Sequence, residues 1–182
     1  MTGYRGDDVH RVIDERFKKS GLVEIVDLPL LKGNLTRLAA FLGTFNEPED
    51  FFMCGIDSLV SLGVLRRFWS NISQVRNNVS ILVSTKIDVA LTHALVRVND
   101  GVVTSYNNFS RTSGEDCFPG LCVDTGIRYF PKSLFGRIKK EGSTQGRPLP
   151  LFMEKIVKEG CLVSATVFTE SWNHFASVED FL

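Results

Sequence analysis

Residues 77–107, NNVSILVSTKIDVALTHALVRVNDGVVTSYN, form the longest strand-like text in the chain, and helix-like segments lie on either side of it. Ile87, Val89, Leu91 and Leu95 fall on one side of an extended chain, and Asp88, Ala90, Thr92 and Ala94 on the other. That period of two is the signature of a half-buried strand. Val96 and Val98 then shift the apolar set to the second face, so the far end is expected to be buried on both sides. Asn99-Asp100-Gly101 precedes a second β-rich run at 102–106. Asp-Gly between two such runs predicts a hairpin, because primed turns need the positive φ that Gly and Asn tolerate. Residues 79–84 add a strand upstream. The expected fold class is α+β: one domain over 1–182, with an antiparallel sheet (a meander around 79–106 plus a C-terminal strand at 161–168) packed with helices. Mobile loops are expected at 107–126 and 141–148.

The flanking text supplies the helices. Val9, Val12, Ile13 and Phe17 recur at helical spacing between Asp7-Asp8 and Lys18-Lys19-Ser20-Gly21, an order that suits the helix dipole and a terminal glycine. A short strand is read at 22–26. Asn34 is read as the cap of a second helix with Leu35, Leu38, Ala39 and Leu42 on one face. A third is read from about Ile56 to Trp69, with Ile56, Leu59, Val60 and Leu62 as its apolar side. Gly63 inside it costs about 1 kcal/mol relative to Ala. Past the turn-rich stretch 107–126, residues 131–140 predict a short basic helix and 141–148 a polar linker. Residues 151–158 predict another helix, and 161–168 alternate as a last strand. Ser177 and Asp180 are spaced as a capping box.

Net charge is zero, but it is unevenly spread. Residues 128–158 carry Arg128, Lys132, Arg137, Lys139, Lys140, Arg147, Lys155 and Lys158 against Glu141 and Glu154, a local charge of +6. An anionic partner, membrane or nucleic acid, is expected there if anywhere; a solvated helix face is the plainer reading. Fourteen Phe against three Tyr and two Trp suggest a Phe-rich core, or a surface that meets lipid or another copy of the chain. Cys54, Cys117, Cys122 and Cys161 are too scattered for a disulfide framework. The opening residues lack an apolar run and no stretch is long enough to span a bilayer, so a cytosolic or nuclear protein that is not secreted is expected.

Signatures of chemistry are sparse. Cys117 and Cys122 lack the second pair of ligands that zinc would need, and His10, His93 and His174 stand apart in the sequence. His93, on an otherwise apolar face, reads as a core residue. Residues 142–146 hold two glycines but neither the Lys-Ser/Thr nor the preceding strand of a phosphate loop. Neither a Gly-x-Ser-x-Gly elbow nor a His-Glu-x-x-His helix occurs. No catalytic residue, metal or cofactor is assigned on these grounds, and a non-enzymatic protein is expected. Basic and aromatic residues interleave over 128–137, a pattern that suits stacking on single-stranded nucleic acid, lying on an anionic membrane, or an edge strand running into a helix.

The C-terminal third resembles viral matrix proteins of the rhabdovirus type in the order of its features. Arg128-Tyr129-Phe130-Pro131 comes first, then Arg147-Pro148-Leu149-Pro150, then Glu159-Gly160 opening a β run, then Trp172-Asn173-His174-Phe175. The acidic N-terminal portion and the missing Pro-Pro-x-Tyr depart from that family. The resemblance implies a non-enzymatic structural protein that self-associates, binds membranes peripherally and bridges nucleocapsid and membrane in the virion, without a small-molecule substrate. Phe109, Phe118 and Leu121, apolar residues in the turn-rich stretch, are the expected self-association contacts. Two alternatives stand beside it: an RNA-binding accessory protein such as a viral silencing suppressor, and a small cysteine-dependent enzyme centred on Cys117.

Overall fold

A computed structural model describes residues 31–55, 58–75, 77–86, 93–107, 119–144 and 146–174, with the single positions 11, 15, 26 and 28. The expected first helix is described only at Arg11 and Glu15, both helical, and the expected strand at 22–26 only at Val26. Residues 87–92, residues 108–118 with Phe109, Cys117 and Phe118, and the Ser177–Asp180 pair lie outside the described residues.

In chain order the elements are α1 (Asn34–Leu42), β1 (Phe51–Met53), β2 (Ser58–Val60), α2 (Leu62–Gln74), β3 (Val79–Ser84), β4 (Leu95–Asn99) and β5 (Val102–Asn107). Then come β6 (Leu121–Phe130), a 3-10 turn (Lys132–Leu134), α3 (Phe135–Gly142), α4 (Leu149–Lys158), β7 (Val163–Phe168) and β8 (Trp172–His174). They group into two compact units, Met1–Glu47 with Phe135–Leu149, and Pro48–Leu134 with Pro150–Leu182.

In the first unit α1 buries Leu35, Leu38, Ala39 and Leu42, the face its spacing predicts. Asn34 is its first helical residue and not its cap; Gly33 takes that place, with φ 84° and no side-chain bond. The Gly33 position admits no larger residue, because a Cβ there would lie 2.5 Å from the Gly146 carbonyl carbon. The polar stretch read as a linker makes hydrogen bonds with α1 and the residues before it. Leu35 N–H donates to the Arg147 carbonyl (3.1 Å), Gly146 N–H to the Lys32 carbonyl (3.1 Å) and Thr36 Oγ1 to the Thr144 carbonyl (2.9 Å).

The second unit is built on a six-stranded sheet in the order β1-β6-β3-β7-β5-β4. It is mixed and not an antiparallel meander: β3 runs parallel to β7 and antiparallel to β6. Because β4 also pairs with the start of β6, strands β6, β3, β7, β5 and β4 close on one another as a small barrel. The one hairpin read from the sequence forms between β4 and β5, with Asp100 at φ 47° and Gly101 at φ 74°, both positive as a primed turn requires. The meander failed because strand pairing is settled across the whole chain. All six β3 residues are buried, as in a central strand covered on both faces, and its neighbours come from residues 121–130 and 163–168.

Helix α2 covers one face of this sheet. The third helix starts six residues later than expected, since Ser58–Val60 is strand and Ser61 caps the helix by accepting from Val64 N–H (3.3 Å). Its core face is Val64, Phe68 and Ile72, packed with Leu82, Leu95, Val123, Ile127, Tyr129, Phe168 and Trp172. Burying each large apolar side chain there contributes roughly 1.5–3 kcal/mol. Leu59 and Leu62, read as the apolar side, are exposed instead.

Candidate functional site

Strand β6 runs opposite to both β1 and β3, and β7 is parallel to β3, so β1, β3 and β7 point the same way. Ligands of α/β sheets bind beyond the carboxyl ends of parallel strands. Those ends here are Met53-Cys54-Gly55, Ser84-Thr85-Lys86 and Phe168-Thr169-Glu170. Thr85 N–H donates to the Phe168 carbonyl (3.1 Å), which holds two of them together. Thr85 and Lys86 are exposed there. Arg67 reaches Glu170 at 2.5 Å, and its hydrogen bonds hold that carboxyl below the usual carboxylate range.

Through this edge passes the middle of β6, Val123-Asp124-Thr125-Gly126-Ile127. Its pairing with β3 is irregular: from Ile81↔Arg128 to Val83↔Asp124 the register advances two residues along β3 and four along β6. The extra residues form a bulge around Gly126, whose φ of 82° a side chain would oppose. Among the described residues, a Cβ on Gly126 would meet nothing within 4 Å, so none of them covers its backbone. Thr125 Oγ1 donates to the Leu82 carbonyl (2.8 Å), while the Thr125 carbonyl accepts from Ser58 Oγ (3.2 Å). The second bond attaches the two-stranded sheet of β2 and β8, in which Ser58 lies opposite His174. Asp57, just before Ser58, is outside the described residues. His93, half-buried, sits edge-on to Trp172 with ring centroids 5.1 Å apart.

Beneath the bulge lies a buried polar cluster. Asp124 and Arg128 are 2% and 6% exposed, and Tyr106 of β5 is buried beside them. Asp124 Oδ2 accepts from the Tyr106 hydroxyl (2.6 Å), Arg128 Nη2 (2.8 Å) and Arg128 Nε (3.1 Å), and Oδ1 accepts from Gly126 N–H (2.8 Å). Arg128 also donates to the Tyr106 oxygen (3.3 Å). Burial and the adjacent Asp124 carboxylate push Tyr106 far above the ordinary tyrosine value, so it stays a proton donor. For Arg128, burial pulls the pKa down, but Asp124 and Tyr106 more than reverse that and the guanidinium stays charged. Buried charges persist where they are paired and hydrogen-bonded, and Asp124 and Arg128 are both.

The residues singled out in the sequence are dispersed. Arg128 faces the interior. Arg147 is ion-paired with Glu141 (2.6 Å), Lys155 with Glu159 (3.9 Å) and Lys158 with Glu154. Lys132, Lys139 and Lys140 are exposed, and Lys139 lies over the Phe135 ring. Arg137 is half-buried on α3. Arg137, Lys139, Lys140 and Arg147 belong to the first unit and the other four to the second. Leu121 lies in β6 and packs on the α2-side core. Cys122 is buried, and burial pushes its thiol up, away from nucleophilic thiolate. Among the described residues no three His, Cys, Asp or Glu gather to hold a metal, and no helix is long and apolar enough to cross a membrane. Asp124, Gly126 and Ser58 were missed. The available signal was the Asp-Thr-Gly interruption of an otherwise apolar β run, which marks a bulge.

This architecture is shared with solved nucleotidyltransferases. The inositol-1-phosphate CTP transferase from T. maritima superposes with a TM-score of 0.72 at 22% identity, over 98% of this chain and 68% of that one. A putative glucose-1-phosphate thymidylyltransferase from Bacillus anthracis, in complex with a sucrose, gives 0.71 at 11% identity over 97% and 69%. A UDP-glucose pyrophosphorylase complexed with UDP-glucose gives 0.69 at 15% identity over 100% and 70%. No family model and no curated protein matches the sequence. These likenesses overturn the matrix-protein resemblance, and with it the non-enzymatic reading and the expectation of no small-molecule substrate, and they lend the virion location no support. The order of features behind that resemblance has another cause. Arg128-Tyr129-Phe130 is the buried end of β6, the run after Gly160 is the parallel strand β7, and Trp172–His174 pairs with β2.

Proposed function

We propose that this chain has the activity its structural neighbours are named for, the transfer of a nucleotidyl group from a nucleoside triphosphate to a phosphorylated sugar or polyol. The observation that carries the reading is the likeness to such enzymes over nearly the whole chain. The small-enzyme alternative fits it better than any structural role; the transfer reading assigns no part to Cys117, which lies outside the described residues. In this reaction an oxygen of the acceptor's phosphate attacks the α-phosphorus of the triphosphate. A new P–O bond forms, the bond to the β-phosphate oxygen breaks, and pyrophosphate leaves with its electron pair. The protein's task is positioning and charge stabilisation more than covalent chemistry.

The carboxyl ends of β1, β3 and β7 supply a place for this. Lys86, exposed just past β3, offers a cation for phosphate oxygens, and its N–H is held by Ser84 Oγ (3.1 Å). The Gly126 backbone offers a surface that a flat group can approach closely, with Ser58 bonded to the adjacent Thr125 carbonyl. The test is release of pyrophosphate by the purified chain given CTP, GTP, TTP or UTP as magnesium complexes with sugar 1-phosphates or inositol 1-phosphate. Turnover with at least one pair is expected, lowered about ten-fold by Lys86→Ala, the loss of one charge-assisted contact. Absence of pyrophosphate from every pair, in a folded sample, would remove the reading.

A further inference from the structure

We infer that Asp124, Arg128 and Tyr106 act as a positioning clamp that sets the Gly126 backbone at the substrate surface, a role that rests on the nucleotidyl-transfer reading above. An extended strand separates residues four apart by about 13 Å, beyond comfortable reach of an Asp–Arg pair on one face. In β6 the two side chains meet at 2.8 Å because the bulge takes up the chain between them. The ion pair thus spans the bulge as a strut. Asp124 Oδ1 then holds the Gly126 N–H directly (2.8 Å), and Tyr106, from β5, braces the other carboxylate oxygen (2.6 Å).

The bulge is tied on its remaining sides as well. Thr125 Oγ1 is bonded to the Leu82 carbonyl on β3, and the Thr125 carbonyl to Ser58 on β2. Over Gly126 itself, no atom of the described residues lies within 4 Å of where a Cβ would sit. A polar cluster of this cost, buried under a backbone that none of the described residues covers, fits a device for precise placement better than one for stability alone. Apolar residues of like volume would fill the same space without the desolvation penalty. None of the three side chains would touch substrate. They act through the Thr125–Gly126 peptide.

The test uses the whole chain and replaces the cluster by an apolar one, Asp124→Leu with Arg128→Met and Tyr106→Phe. A clamp predicts a protein that melts cooperatively yet shows a KM for one of its two substrates raised about ten- to a hundred-fold, with kcat much less changed. Should the triple variant fail to fold, Arg128→Lys carries the same comparison, since it keeps the charge but loses the fork that grips Asp124. A wild type that turns over beside a folded variant of unchanged KM removes the clamp and leaves the functional reading standing. A wild type without turnover removes both.

Discussion

The Tyr106 hydroxyl donates a hydrogen bond to a carboxylate inside the sheet, and this makes its ionisation depend on the folded state. The ordinary tyrosine value is 10.0, and burial beside Asp124 raises the folded value well above it. Below pH 10 both folded and unfolded chains keep the proton, and the full contribution to stability is present. Above that, the unfolded chain ionises first, so stability falls as pH rises, by about 1.36 kcal/mol per unit for this group. Urea unfolding from about pH 9 to about pH 11 is expected to show a steeper loss for the wild type than for Tyr106→Phe. Parallel slopes would mean that the hydroxyl is not buried as described. The neighbouring pair behaves differently. Removing Arg128 alone would strand a buried carboxylate at a cost of about 3–5 kcal/mol. The basic residues of 128–158 therefore do not form one class: Arg128 is interior, and others are held by acids close in sequence.

At the scale of elements, approach distances decide what the helices tolerate. Helices α1 and α3 meet so closely at Gly142 that a Cβ there would lie 2.4 Å from Ala39 Cβ and 2.6 Å from the Leu35 carbonyl oxygen. The obstructing atoms are a backbone oxygen and the first carbon of a side chain, neither of which can swing away. Gly142→Ala would ordinarily favour a helix, yet here it is expected to destabilise the protein by about 1–3 kcal/mol through overpacking. A denaturant midpoint equal to or above that of the wild type would show that the helices part without cost. Helix α2 shows the limit of a pattern read in one dimension. Leu62 and Trp69 are 62% and 64% exposed, while Val64, Phe68 and Ile72 face the sheet. Both sets recur at helical spacing, and only the sheet beside them selects one.

For the molecule as a whole, binding of a nucleotide to the folded chain alone must stabilise it. A nucleoside triphosphate at about a hundred times its Kd adds about 2.7 kcal/mol, which raises the melting temperature by several degrees. A thermal-shift screen of CTP, GTP, TTP and UTP with magnesium is expected to show that rise for at least one, growing with concentration. A flat response to all four at millimolar concentrations would speak against a triphosphate site. Local features could be read from the residues alone: the apolar face of α1, the Asp100-Gly101 hairpin, and the strands Val79–Ser84 and Val163–Phe168 to within two residues. These depend on periodicity and turn chemistry, which act over a few residues. Only the tertiary structure decided that β3 takes its partners from β6 and β7. It also fixed where along β3 the Asp-Thr-Gly bulge falls, and it brought Asp124, Arg128 and Tyr106 into one buried cluster. Such pairings join residues far apart in the chain. Their free energy comes from burial and hydrogen bonding that exist only once the whole sheet has closed.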